Sequence, residues 1–190
     1  MKIYILDTNA KKLALVDSYF KSGEVETVCD TLQHFVFTHD DVECVVSPAN
    51  SFGLMDGGYD AAITDCFGGE LQKEVQKYIL SNYFGEQPVG TSFLIKIPHT
   101  NKCLIHTPTM RTPEVIRDKL TIYQCMRSTL MCAIKNDIKS IVIPLFGGGC
   151  GGVHPQTIAY MMKRAYVQIT NPPTELTWEY AISFQVIAPV

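Results

Sequence analysis

The sequence has little excess charge of either sign, and it lacks a long apolar run. Lys and Arg number 16 against 19 Asp and Glu, which gives a formal net charge of −3. Basic residues are scattered rather than clustered, and this argues against a nucleic-acid surface. No apolar run approaches the length that crosses a membrane. A phosphorylated ligand is still compatible with this composition, because backbone amides and helix N-termini bind phosphate without cations.

The seven cysteines also lack the spacing of a metal or redox motif. Their number is odd, and no two stand as close as in a Cys-x-x-Cys pair or a zinc ribbon. The histidines show no ligand spacing either, so we expect no metal site and no resident cofactor. The first residues do not resemble a signal peptide, since Asp7 closely follows Lys2. These features favour a reducing compartment, and we expect a cytoplasmic protein.

What the sequence does contain is apolar segments that alternate between strand-like and helical spacing. With 46% hydrophobic and 18% charged residues, the chain can bury a substantial core, and we expect one domain over residues 1–190. The alternation predicts an α/β fold, a three-layer α/β/α sandwich with a mixed, largely parallel central sheet. The predicted strands are 2–6, 25–29, 44–46, 90–97, 103–107, 141–143 and 181–187. The predicted helices are 10–20, 59–83 with a break at 68–69, 113–136 and 155–166, while 31–39 is ambiguous.

Two glycine-rich loops follow buried strands. The first, residues 47–60, follows the apolar run 42–46 and precedes a helical pattern. The second, residues 146–152, follows the apolar run 141–145 and contains five glycines. Glycine lets backbone N–H groups approach a ligand closely, so each loop is suited to holding phosphate. Neither loop is followed by Gly-Lys-Ser/Thr, which argues against a P-loop nucleotide-binding protein.

The positions of these loops predict one shared site. Ligands of open α/β sheets bind at the carboxyl ends of the strands. Both glycine loops, Asp30 and the segment 107–111 all follow predicted strands. We therefore expect the two loops to form two walls of one phosphate-sized slot.

At these loops the sequence resembles the macro domain family, the ADP-ribose-binding modules. The family pattern is a strand, then Asn-Ala-Ala-Asn-Ser, then a glycine-rich loop that opens a helix. Here the matching residues are Ser-Pro-Ala-Asn-Ser at 47–51 and Asp-Gly-Gly-Tyr-Asp at 56–60. The family's second loop, a glycine turn after a strand that ends in Pro, is similar to residues 144–152. The order and spacing of the elements agree as well.

The resemblance implies a role for each matching position. Asp30 would accept a hydrogen bond from the adenine amino group, Asn50 would hold the distal ribose, and Asp60 would orient an attacking water. Arg111 lies in a segment that resembles the ADP-ribose-1''-phosphate phosphatase branch. The catalytic residues predicted in this way are Asn50 and Asp60. The predicted ligand-binding residues are Asp30, Ala49, Ser51, Gly57, Gly58, Tyr59, Arg111, Gly147, Gly148, Gly149, Cys150 and Gly151.

The chain departs from the family pattern at three positions of the first loop. Ser47 replaces the first Asn, Asp56 replaces the first Gly of the glycine triplet, and Tyr59 replaces an aliphatic residue. A carboxylate at position 56 would repel a diphosphate unless it turned away. We assign no aromatic residue to stack on adenine.

Several of these residues have a second interpretation. Asn50 could cap a turn, Asp60 could be a first-turn acid that favours the helix dipole, and Asp30 could be a helix N-cap. Arg111 could grip a phosphate or form a surface salt bridge. Cys150 could be a nucleophile, although loop packing is the better interpretation.

The resemblance implies an enzyme or a binding module. As an enzyme, the protein would hydrolyse ADP-ribose-1''-phosphate or an ADP-ribosyl ester at the distal ribose, without a metal. As a binding module, it would hold ADP-ribose, a cyclic relative or an ADP-ribosylated protein without turnover. A different nucleotide-binding α/β protein is a third and weaker hypothesis.

Overall fold

The computed structural model describes residues 1–183, in which strands and helices alternate along most of the chain. The strands are β1 (Lys2–Asp7), β2 (Glu26–Cys29), β3 (Cys44–Ser47), β4 (Phe93–Lys96), β5 (Cys103–His106) and β6 (Ser140–Pro144). The helices are α1 (Ala10–Tyr19), α2 (Leu32–Thr38), α3 (Gly58–Phe67), α4 (Glu70–Tyr83), α5 (Leu120–Lys135), α6 (Pro155–Thr170) and α7 (Trp178–Ser183). Within this range no helix is long and apolar enough to cross a membrane.

All six strands form one sheet in the order β2-β1-β6-β3-β5-β4. Every neighbouring pair is parallel except β4 and β5, which are antiparallel. The predicted mixed, largely parallel sheet is therefore confirmed. Because β1, β6 and β3 lie between other strands, their carboxyl ends meet near the middle of one sheet edge.

Helices cover both faces of this sheet. Side chains alternate along β1, so that Ile3 and Ile5 join the core beneath α1, α5 and α6. Tyr4 and Leu6 join the opposite core, to which α2, α3 and α4 contribute. Burial on both faces is typical of parallel strands and explains why their sequences are almost continuously apolar. The molecule has the three layers that the sequence predicted.

The predicted helix over 113–136 was wrong at its start, because α5 begins at Leu120. Residues 113–119 form an irregular segment in which the backbone N–H of Ile116 donates to the carbonyl of Gly151 at 2.9 Å. The Asp118 carboxylate then accepts from the N–H of Leu120 at 2.9 Å, which supports a new helix start there. Burial of Ile116 against the second glycine loop thus outweighs the preference of Pro113 for a first helical turn.

The predicted strand over 181–187 was wrong for residues 181–183, which belong to α7. The N–H of Ala181 donates to the carbonyl of Thr177, and the Thr177 hydroxyl accepts from the N–H of Tyr180. These local bonds start a helical turn that alternating hydrophobicity does not reveal. Residues 184–187 lie outside the described part of the chain.

Candidate functional site

A cavity of about 700 Å³ lies at the carboxyl ends of the four strands β2, β1, β6 and β3. Its lining comes from the segments that follow these strands, together with Thr109, Met110 and Pro113. Neighbouring strands are about 4.8 Å apart, so the cavity runs about 14 Å from the end of β2 to the end of β3. This length suits an elongated ligand lying across the strand ends.

Twelve of the predicted site residues line this one cavity. They are Asp30, Ala49, Asn50, Gly57, Gly58, Tyr59, Asp60, Gly147, Gly148, Gly149, Cys150 and Gly151. Ser51 and Arg111 are not among the lining residues. The structure therefore brings the two glycine loops and Asp30 together, while the roles of these residues are still predictions.

The first glycine loop ends at the N-terminus of α3. Gly57 is the N-cap of this helix and provides no side-chain cap. The N–H groups of Gly58, Tyr59 and Asp60 donate to no acceptor among the described residues. All three residues line the cavity. The unpaired amides and the positive end of the helix dipole make this end of the cavity a donor surface for anions or hydroxyl groups.

The second glycine loop is packed too tightly for side chains at two of its positions. A Cβ at Gly147, where φ is +76°, would lie 2.7 Å from Ile122. A Cβ at Gly151 would lie 2.8 Å from Ile116 and 3.0 Å from the Cα of Gly147. The loop closes with a bond from the N–H of Val153 to the carbonyl of Gly147 at 3.1 Å. Glycine at position 147 suits its left-handed backbone, and glycine at position 151 allows the close approach of Ile116 and Gly147.

This packing leaves three consecutive amides of the second loop available. Within residues 1–183, the N–H groups of Gly149, Cys150 and Gly151 donate to no protein acceptor. These residues all line the cavity, as do the residues that carry the α3 amides. Consecutive free N–H groups in a turn can form an anion-binding concavity, and both glycine loops therefore offer unpaired backbone donors at the cavity lining.

Asp60 is a buried carboxyl group on the wall formed by the first loop. Asp60 is 7% exposed, and its Oδ1 accepts a hydrogen bond from the Ser47 hydroxyl at 2.7 Å. Burial raises the pKa of Asp60 to about 6, the Ser47 bond opposes this rise, and the negative charge of Asp56 adds to it. A carboxyl group with a pKa in this range can take up and release a proton near neutral pH.

Asp30 lies at the opposite end of the cavity, after β2. Its Oδ1 accepts from the N–H of Thr31 at 2.7 Å, and its Oδ2 is 2.5 Å from Nδ1 of His34. The His34 bond is the main cause that lowers the pKa of Asp30, so this side chain is a fixed hydrogen-bond acceptor. Thr31, rather than Asp30, is the N-cap of α2.

Asn50 lines the cavity, but its side chain is bonded within its own loop. Its Oδ1 accepts from the N–H groups of Phe52 at 3.1 Å and Leu54 at 3.3 Å. Its Nδ2 donates to the carbonyl of Leu54 at 2.7 Å. Asn50 therefore caps a turn in this structure, one of the two interpretations that the sequence allowed.

Arg111 and Ser51 adjoin lining residues but do not line the cavity themselves. The Arg111 guanidinium forms a bidentate salt bridge with Glu86, at 2.8 and 3.1 Å, and lies over the ring of Phe52. Ser51 is buried, and its backbone bonds to Arg111 and Gln87. This placement corresponds to the surface salt bridge that the sequence offered as the alternative for Arg111.

Tyr59 and Cys150 have largely structural surroundings. The ring of Tyr59 packs against the core formed with α2 and α4, and burial raises the pKa of its hydroxyl. The thiol of Cys150 is 3.6 Å from the sulfur of Met110, at the exposed edge of the second loop. No cationic group among the described residues contacts this thiol, which agrees with loop packing rather than nucleophilic chemistry.

Sequence reasoning missed Lys12, the one basic side chain among the described residues that line the cavity. Its Nζ donates to the carbonyl of Gly148 at 3.0 Å and lies 3.8 Å from Oδ2 of Asp7. The lysine thus joins the start of α1 to the second glycine loop. Because α1 follows β1, the tendency of ligands to bind at strand ends also predicts this segment at the cavity.

Comparison with known proteins identifies the family. The family model described as Macro domain matches residues 46–162. An uncharacterized protein of Aquifex aeolicus is 34% identical over 127 residues, which cover 66% of this chain and 73% of that protein. An uncharacterized protein of Aeropyrum pernix is 28% identical over 120 residues, which cover 62% of this chain and 59% of that protein.

Solved structures share the fold. The Oceanobacillus iheyensis macrodomain with ADP aligns with a TM-score of 0.59 at 24% identity, covering 67% of this chain and 68% of that one. The macrodomain of Mycobacterium tuberculosis DarG aligns at 0.58 with 21% identity, covering 68% and 84%. Thermosipho africanus DarTG in complex with ADP-ribose aligns at 0.57 with 19% identity, covering 67% and 35%. Since the family model spans more than half of the sequence and the fold agrees, the chain belongs to the macro domain family.

Proposed function

We propose that this macro domain binds ADP-ribose, or a derivative of it, along the cavity and hydrolyses a bond at the distal ribose. The observation that carries the proposal is Asp60, a buried carboxyl group with a pKa of about 6 on the wall of the cavity. Asp30, at the far end of the same cavity, supplies a fixed acceptor. A desolvated carboxyl group with a raised pKa on the wall of a cavity is typical of a catalytic acid or base.

In this proposal the ligand follows the order of the strands along the cavity. Adenine lies near Asp30 at the end of β2, the diphosphate lies beside Lys12 and the second glycine loop, and the distal ribose lies over β3 beside Asp60. Similar proteins support the choice of ligand, since solved relatives contain ADP or ADP-ribose. The free amides of both glycine loops would bind the phosphate oxygens.

Asp60 acts as the general base in the proposed reaction. The carboxylate of Asp60 holds a water molecule, whose oxygen attacks the substrate atom that is bonded to the leaving group. A proton of this water passes to Asp60 as the new bond to oxygen forms. The released group leaves with the electron pair of the broken bond and takes a proton from solvent. The loop amides and the α3 N-terminus stabilise negative charge as it develops.

A binding module without turnover is the second candidate function, and the side chain of Asn50 favours it. In the enzyme hypothesis this amide holds the distal ribose, yet both of its functional atoms are bonded within residues 50–54. In this alternative the loops bind ADP-ribose, free or attached to a protein, and Asp60 is a first-turn acid of α3.

Titration calorimetry and a turnover assay together test the proposal. We expect ADP-ribose to bind with micromolar affinity, and ATP, as a control, to bind much more weakly. We then expect the purified protein to release product from ADP-ribose-1''-phosphate or from an ADP-ribosyl ester, and the Asp60→Asn variant to bind without turnover. Tight binding with no turnover of either substrate would establish the binding module instead. A folded protein that binds no ADP-ribose would overturn both functions.

A further inference from the structure

The charges along the cavity are unevenly distributed. Four carboxylates line it, those of Asp7, Asp30, Asp56 and Asp60, against the single ammonium of Lys12. Lys12 contacts Gly148 and lies near Asp7, so its charge is placed over β1 and β6, in the middle of the cavity. The positive charge nearest to a ligand is therefore central, where the diphosphate is proposed to lie, although Asp7 shares it.

The end of the cavity over β3 is acidic. Asp56 and Asp60 both line it, and the charge of Asp56 is close enough to Asp60 to raise the pKa of that carboxyl group. Within residues 1–183, Asp56 forms no hydrogen bond or ion pair, and no Lys or Arg side chain lines this end. The side chain of Asp56 thus presents an uncompensated negative charge to whatever lies beside Asp60.

The N-terminus of α3 offsets only part of this charge. A helix N-terminus corresponds to about half a positive charge, and Asp60 already occupies its first turn. At neutral pH a phosphate monoester carries between one and two negative charges. Placed over β3, such a group would meet two carboxylates, whereas an ester or a hydroxyl group would bring no charge.

We propose that Asp56 is a specificity-determining residue that excludes a terminal phosphate and selects ADP-ribosyl adducts with an uncharged group on the distal ribose. The inference rests on the proposed function and narrows its substrate class to ADP-ribosyl esters, as against ADP-ribose-1''-phosphate. The diphosphate is not affected in the same way, because it lies nearer to Lys12 than to the acidic end.

Competitive titration with two ligands tests this inference. ADP-ribose and ADP-ribose-1''-phosphate are compared on the wild type and on Asp56→Asn, which removes the charge but keeps the shape of the side chain. Asp65→Asn, an exposed position on α3 outside the cavity, is the matched control. Chromatography after each titration measures whether the ligand has been hydrolysed.

We expect the wild type and Asp65→Asn to bind the phosphorylated ligand about tenfold more weakly than ADP-ribose, and Asp56→Asn to remove most of that difference. Equal affinity of the wild type for both ligands, or its rapid hydrolysis of ADP-ribose-1''-phosphate, would overturn the inference while leaving the proposed function intact. A preference that persists in Asp56→Asn would overturn it too. Failure of the wild type to bind ADP-ribose would overturn both proposals.

Discussion

Asp30 and Asp60 stand at opposite ends of one cavity, yet their surroundings shift their acidity in opposite directions. Asp30 is partly exposed and bonded to His34, which lowers its pKa, whereas Asp60 is buried, bonded to Ser47, and has a pKa of about 6. A donor stabilises the charge of the first, and desolvation disfavours the charge of the second. On the proposed function, Asp30 would serve recognition of the ligand and Asp60 would serve proton transfer.

The largest expected effect follows from removing the carboxylate at the buried end. Asp60→Asn keeps the acceptor for the Ser47 hydroxyl but cannot take a proton, so we expect turnover to fall by about 10²- to 10⁴-fold. The affinity for ADP-ribose should change little. Initial rates of product release measure the loss, with Asp65→Asn as the control. If Asp60→Asn released product at the wild-type rate, Asp60 would not be the general base.

The corresponding change at the other end should affect binding. Asp30→Ala removes an ionised acceptor, and such hydrogen bonds contribute about 1.5 to 3 kcal/mol, so we expect about 10- to 100-fold weaker binding of ADP-ribose. The rate at saturating substrate should stay close to that of the wild type. Titration calorimetry measures the affinity, and His34→Ala, which leaves the carboxylate in place, should weaken binding less. If Asp30→Ala lost much of its rate at saturating substrate, Asp30 would contribute to turnover as well as to binding.

A smaller effect is expected between the two ends, at Lys12. Lys12→Met keeps the apolar stem and removes the ammonium, so we expect the affinity for ADP-ribose to fall about three- to tenfold. The salt dependence of binding should become flatter, since screening acts on the charge that has been removed. Lys11→Met, at the exposed neighbouring position of α1, is the matched control. Equal effects of the two variants would mean that Lys12 does not contact the phosphates.

The sequence predicted most of the sheet and the position of the cavity. Strands such as β3 and β6 are short apolar runs followed by glycine loops, and parallel strands of this kind place their following loops at one edge. Asp30 and Asp60 could be placed at that edge for the same reason. What the pattern could not supply was their chemical state, because burial and bonding partners depend on residues distant in the sequence, as Ser47 is from Asp60.

The features that the sequence left open or misassigned depend on long-range packing in the same way. The segment 113–119 looks helical in isolation, but a long-range bond from Ile116 to Gly151 fixes it in an irregular path. The turn bonds of Asn50 also depend on how residues 50–54 fold rather than on composition. Lys12 could not be predicted from the sequence because a single lysine forms no motif. It reaches the cavity only because α1 packs beside the second glycine loop.

The smallest expected effect is a change in pH dependence at Ser47. Its hydroxyl donates to the ionised form of Asp60, so Ser47→Ala should raise the pKa of that carboxyl group further. Because the base must be ionised, we expect the acid limb of the rate profile to move up by about one pH unit. At pH 8 the rates of variant and wild type should be nearly equal. Ser81→Ala, on the exposed surface of α4, should leave the profile unchanged.

The raised pKa of Asp60 also predicts how the stability of the folded protein changes with pH. The pKa of Asp60 in the folded protein, about 6, is above the value of about 3.9 for an unfolded chain. Its contribution to stability is therefore complete below about pH 4 and is lost as the pH rises through 6, because the folded state binds the proton more tightly. In Ser47→Ala this loss should continue to higher pH, which thermal unfolding between pH 4 and 8 would measure. If the acid limb of the rate profile of Ser47→Ala stayed at its wild-type position, the Ser47 hydroxyl would not affect the pKa of Asp60. Burial alone would then account for the difference in pKa between Asp60 and Asp30.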